Sequence, residues 1–246
     1  GDGLTVRFHE RQGVTWTIDP STHNAVRSAP RTSATELETC GMCHALRSPL
    51  HEPWRPGRQL LDTHLPALLE PGMFEADGKI EGEAFNYQAF RQSRMFSRGV
   101  TCSDCHDPHR LELRAEGNAL CGQCHAAAAY DTPAHHRHAE GSTAARCVSC
   151  HMPERAFMQV DRRHDHGFRI PRPDLSVRFF GVTNSCNDCH RDREAAWAAS
   201  AVESWHGTDR KGFQTWTPAF AAARAGAPEA GDLLASLATA AGVPSM

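Results

Sequence analysis

Five Cys-x-x-Cys-His motifs use all ten cysteines of this 246-residue chain. They are Cys40-Gly-Met-Cys43-His44, Cys102-Ser-Asp-Cys105-His106, Cys121-Gly-Gln-Cys124-His125, Cys147-Val-Ser-Cys150-His151 and Cys186-Asn-Asp-Cys189-His190. Two thiols at i and i+3 share one face of a helical turn, and the imidazole at i+4 lies beside them. Thiols so placed form two thioether links to one porphyrin, and the His binds its iron from the proximal side. A zinc ribbon needs two such pairs on one ion, and five pairs do not divide into four-cysteine sites. Neither zinc, a redox dithiol nor a disulfide framework needs a His directly after each second Cys. The expected cofactors are therefore five haem c, held by the ten cysteines, with His44, His106, His125, His151 and His190 as proximal ligands.

Eleven other histidines compete for the sixth iron positions. His109 follows His106 across Asp107-Pro108, and the turn at Pro108 aims it at a neighbouring haem. His135, His136 and His138 cluster before the fourth motif, and His138 with one of the adjacent pair is expected to ligate. His166 lies in the Pro-bounded segment Asp165-His-Gly-Phe-Arg-Ile-Pro171, and His64 on an expected helix over residues 60–69. A propionate hydrogen bond or a solvated surface is the competing role for each. His9 and His23 read as structural, while His51, His164 and His206 stay open. Met152 is too close to its own attachment site to ligate that haem from the far side, and Met73, Met95 and Met158 read as packing.

The elements that position these groups are short. The apolar fraction is 40% and aromatics are 7%, a modest core that five macrocycles would complete. The expected fold is mainly α with little regular structure, a multihaem cytochrome c fold wrapped around five haems. Residues 1–36 read as a β-ribbon appendage from Leu4–Phe8 and Val14–Ile18, which alternate and are β-branched. Residues 37–192 form the pentahaem domain, with a turn at Glu70-Pro71-Gly72 and a helix over Ala84–Phe96. Residues 193–246 are an Ala-rich tail. There Trp197, Ala201 and Trp205 mark one amphipathic helix, and 217–226 and 228–241 form a helical hairpin around Gly226-Ala227-Pro228.

The formal net charge is −3, which is no nucleic-acid signature. Ionised propionates would carry the loaded protein to about −8 oxidised and about −13 reduced. Some Arg and Lys side chains are expected to pair with them. No apolar run approaches a membrane span. Haem is attached to such motifs outside the cytoplasm, so the expected location is periplasmic or extracellular. The chain begins at Gly1 without an export signal, which marks it as processed or partial.

The runs Gly99–His109, Gly117–His125, Asp131–His136, Cys147–Pro153, Asp165–Ser176 and Cys186–His190 resemble multihaem cytochromes with C-terminal tetratricopeptide repeats. That grouping includes pentahaem nitrite reductases and hydroxylamine oxidoreductase. The resemblance spans nearly the whole chain and is specific over about residues 84–206. It implies mostly bis-His haems packed edge to edge, electron transfer at a periplasm or cell surface, and His109, His138 and His166 among the ligands. Relatives carry further motifs upstream and several helical repeats downstream, which this chain lacks. Three functions follow. One is a wire between redox partner proteins; the second is a reductase of a nitrogen or sulfur oxyanion with one open haem. The third is a subunit of a larger membrane-associated or filamentous complex. The missing Cys-x-x-Cys-Lys motif and a content of two Tyr weigh against the reductase.

Overall fold

A computed structural model describes residues 6–82, 85–209 and 213–240. It is mainly helical with little regular sheet, as expected. The chain divides into two compact units. Residues 1–67 with 94–149 form the first, and 68–93 with 150–246 the second.

In the first unit the helix Thr35–His44 carries the first motif, and its first turn buries Glu36 and Leu37. The second motif rides on the single turn Cys102–Cys105, and the third begins at the end of Asn118–Gly122, with Cys124 and His125 following it. The ribbon differs from expectation. Trp16–Ile18 pairs antiparallel with Ala25–Arg27, while residues 6–8 form no strand and Leu4 and Thr5 lie outside the described residues. The return strand follows the turn Asp19–Asn24, where the Asp19 carboxylate accepts from the Ser21 N–H and hydroxyl. That Asx turn reverses the chain after Ile18.

The helix expected over 60–69 does not form. Leu60–Asp62 makes one 3-10 turn, and His64–Pro66 then extends to pair with Arg47–Pro49. Pro66 has no N–H and clashes with the preceding turn, so a helix cannot run through it. His64 is therefore a buried residue of a short strand.

In the second unit Phe74, Ile80 and Ala89 form one small core with Leu69 and Met73 against it. Ala76, Leu175 and Val182 form another, backed by Phe179, Phe220 and Ala221. The helix expected over 84–96 is two pieces, Asn86–Arg91 and Arg94–Ser97; Ala84 is outside the described residues. The break falls at Gln92, whose side-chain amide donates back to the Gln88 carbonyl and accepts from Arg169. Burying that polar bond takes precedence over one more helical turn.

The helix Ala195–His206 forms as periodicity predicts, but its buried face is Ala198 and Val202. It packs on Pro173–Arg178, where small side chains let the backbones approach, and Trp197 and Trp205 stay more than a third exposed. Thr217–Arg224 and Ala230–Thr239 follow and pack together. Residue 241 of the second expected tail helix lies outside the described residues.

Candidate haem centres

Each motif sits on one helical turn, so the two thiols of each pair face one side. All ten cysteines are free thiols, partly or fully exposed, and so accessible for covalent attachment. Among the described residues, no three His, Cys, Asp or Glu side chains converge as a metal cluster. Burial pushes the Cys105 and Cys186 thiols up to about 11. Several large apolar side chains, Leu111, Val160 and Phe180 among them, lie open to solvent. Small cores, reachable thiol pairs and uncovered apolar side chains fit haem as the missing apolar mass.

Consecutive motifs are neighbours. In the first unit the Cys40 and Cys102 thiols are hydrogen-bonded, and this bond, with burial, pushes Cys102 up. Partial desolvation and the nearby His44 imidazole hold His106 below its ordinary value. Cys124 lies close enough to Cys105 to oppose its ionisation. Cys121 and Cys147 repeat the thiol–thiol bond between the third and fourth motifs. In the second unit Cys150 bears on Cys186 in the same way, linking fourth to fifth.

Polar side chains brace these neighbours. The Glu36 carboxylate, 2% exposed, accepts the Ser103 N–H at 2.6 Å and its hydroxyl at 2.8 Å, joining the first motif's helix to the second motif. Asn118 accepts the Cys147 N–H at 2.9 Å and donates to the Ala145 carbonyl at 3.0 Å, joining the third to the fourth. The Ser185 hydroxyl donates to the Cys150 carbonyl at 3.1 Å, joining the fifth to the fourth. The Asn184 side chain caps the fifth motif's turn by accepting the Asn187 N–H. Sequence reading missed Glu36, Asn118 and Ser185. A single polar residue near a motif has no local mark that it is buried against another motif.

The imidazoles sort by the partner of Nδ1. A ring whose Nδ1–H donates has its Nε2 lone pair left to bind iron. His151 Nδ1 donates to the Arg169 carbonyl at 2.8 Å, and burial holds its ring below its ordinary value. His166 Nδ1 donates to the His164 carbonyl at 2.9 Å, and His138 Nδ1 to the His136 carbonyl. His64, 5% exposed, has Nδ1 2.9 Å from the Thr63 hydroxyl, and among the described residues no partner takes its Nε2.

Other rings differ. His136 Nδ1 accepts the His138 N–H at 3.3 Å, which puts the proton of its neutral ring on Nε2. His135 packs edge-on to Tyr130. His164 donates through Nδ1 to the Met152 carbonyl, but its Nε2 lies 3.5 Å from Glu154. His109 is exposed, on an Asx turn in which Asp107 accepts its N–H at 3.0 Å. The His190 ring packs 4.9 Å from Trp197, tilted by 58°.

Residues 95–130, which hold the second and third motifs, match the doubled CXXCH motif family. The fold is similar to that of the crystal structure of the outer cell wall cytochrome OcwA. That likeness has a TM-score of 0.50 at 17% identity, over 76% of this chain and 54% of that one. This chain thus spans about half the length of that cytochrome. No curated protein matches the chain. The doubled motif indicates covalently bound haem c, and the fold is like that of a cytochrome. No helix among the described residues is long and apolar enough to cross a membrane.

Proposed function

We propose that the chain carries electrons along five haem c groups in motif order, between redox partner proteins. The observation that carries this reading is the contact series of the motifs. In one unit thiol–thiol hydrogen bonds join first to second and third to fourth, and second and third lie close enough for their thiols to oppose each other's ionisation; fourth and fifth do the same in the other unit. Each haem supplies a reversible one-electron couple when bound.

The chain's own residues do the rest. Ten thiols anchor, five proximal imidazoles bind iron, and Glu36, Asn118 and Ser185 hold neighbouring attachment points together. We take His64, His138 and His166 as sixth ligands because each keeps its Nδ1 on a hydrogen bond. The other two distal places fall to His109 and His135, with His136 disfavoured by its tautomer. Two imidazoles leave iron saturated, which suits a carrier and not a reductase. The likeness to an outer cell wall cytochrome supports an exported location, periplasmic or at the cell surface, and a role within a larger redox assembly. The likeness to tetratricopeptide-bearing relatives remains part of this reading for the helices after residue 193.

Protein-film voltammetry of the haem-loaded protein tests the function. Five one-electron couples and no catalytic current with nitrite, hydroxylamine or sulfite are expected. A catalytic wave with any of them would establish the reductase instead.

A further inference from the structure

The turn of the N-terminal ribbon is built onto the third motif. The Ala25 N–H donates to the Cys124 carbonyl at 2.7 Å, and the Ala126 N–H donates to the His23 carbonyl at 2.9 Å. These two bonds make an antiparallel bridge that sets Asn24 opposite His125. His23 holds a left-handed backbone, φ 58°, just before the bridge. A non-glycine residue adopts that conformation rarely, so the surrounding bonds must hold it.

The side chains continue the bridge. Asn24 Nδ2 donates to the Thr22 carbonyl at 2.6 Å and to the Tyr130 hydroxyl at 2.9 Å. The Tyr130 hydroxyl itself donates to the Thr22 carbonyl at 2.8 Å. A carbonyl only accepts, so the Asn24 atom facing Thr22 is the nitrogen, and its oxygen faces His125. That Oδ1 lies 2.7 Å from His125 Nδ1. An amide oxygen accepts, so Nδ1 carries the proton and Nε2 presents its lone pair. The orientation is therefore determined from Thr22 through Asn24 to the ring.

We infer that Asn24 is a positioning residue for the third haem: it fixes the tautomer of His125 and, by accepting its Nδ1–H, lowers that haem's reduction potential. The inference rests on haem being attached at Cys121 and Cys124. Accepting the Nδ1 proton makes the imidazole a stronger electron donor, which favours ferric over ferrous iron. His151 makes the same kind of bond to the Arg169 backbone, which no substitution can remove. At His125 the acceptor is a side chain and can be changed in strength and sign.

The test compares Asn24→Asp and Asn24→Leu with the parent, all haem-loaded, by spectropotentiometric titration, with peptide masses reporting haem on each motif. Aspartate nearly matches asparagine in shape; it gives up the donor to the Thr22 carbonyl, and the Tyr130 hydroxyl can turn from that carbonyl to donate to it. Its charge strengthens the acceptor, so one couple should move to lower potential. Leucine removes the acceptor, so the same couple should rise. Each move should be about tenfold in that haem's reduction equilibrium, or 59 mV for one electron. The remaining couples should stay in place. Unmoved couples, shifts of the same sign in both variants, or a shift of all couples together would overturn the inference while haem remains on all motifs. A parent protein whose third-motif peptide carries no haem would overturn the haem reading itself. Should the leucine variant not accumulate, the aspartate variant still decides by its sign.

Discussion

Glu36 joins the first two motifs, and removing it is the sharpest structural test. Its carboxylate takes two hydrogen bonds from Ser103, while its own N–H donates to Glu10 at 2.9 Å. A hydrogen bond to a charged group contributes roughly 1.5–3 kcal/mol, and an abandoned partner loses about 1–3 kcal/mol more if it stays dry. Both bonds involve one residue pair, so their contributions overlap. Glu36→Ala should therefore destabilise the haem-loaded protein by about 3 kcal/mol. Glu36→Gln, which still accepts the Ser103 N–H, should lose about 1–2 kcal/mol. For a chain of this size the alanine variant should melt roughly 6–12 °C lower. Guanidinium unfolding followed in the haem absorption band measures both variants. A double variant with Ser103→Ala should recover about 1 kcal/mol of coupling. An alanine variant within about 0.5 kcal/mol of the parent would refute the brace.

Three further outcomes follow from particular side chains. His138→Ala should give one high-spin haem in the optical spectrum of the oxidised protein, whereas His136→Ala should not; the reverse result would show that the Nδ1 partners do not select the ligand. Burial alone would raise the Glu10 carboxyl, but the Glu36 N–H and Ser33 hydroxyl outweigh it and hold the group below its ordinary 4.5. A depressed carboxyl stabilises the fold above that value and loses the contribution as pH falls through its folded value. The gap between parent and Glu10→Gln in denaturant titrations should accordingly be wide at pH 7 and close below pH 4.5, and a constant gap would contradict it. Phe74, fully buried in a small core, should lose about 3–5 kcal/mol on truncation to Ala, and denaturant midpoints would expose a smaller effect.

The turns of the motifs were legible because their geometry is local. Two thiols and an imidazole within five residues need only one helical turn, and all five turns formed. Helix Ala195–His206 was legible from its period, but its face was not. Trp197, Ala201 and Trp205 mark the period, yet Ala198 and Val202 are buried, because close packing on Pro173–Arg178 favours small side chains. His64 lies on a strand and not on the expected helix, because Pro66 stops a helix there. Asn24 and Glu36 were invisible for a different reason. Each acts on a residue far along the chain, His125 and Ser103, and nothing within a few positions encodes such a partner. The Nδ1 bonds that sort the histidines are likewise a property of the folded backbone.

The central claim is a series of five saturated haems, and low-temperature electron paramagnetic resonance of the oxidised protein tests it most directly. Spin integration should return five low-spin ferric haems per chain, unchanged by nitrite or cyanide. One stoichiometric high-spin haem that responds to either ligand would contradict the carrier and reveal an open iron.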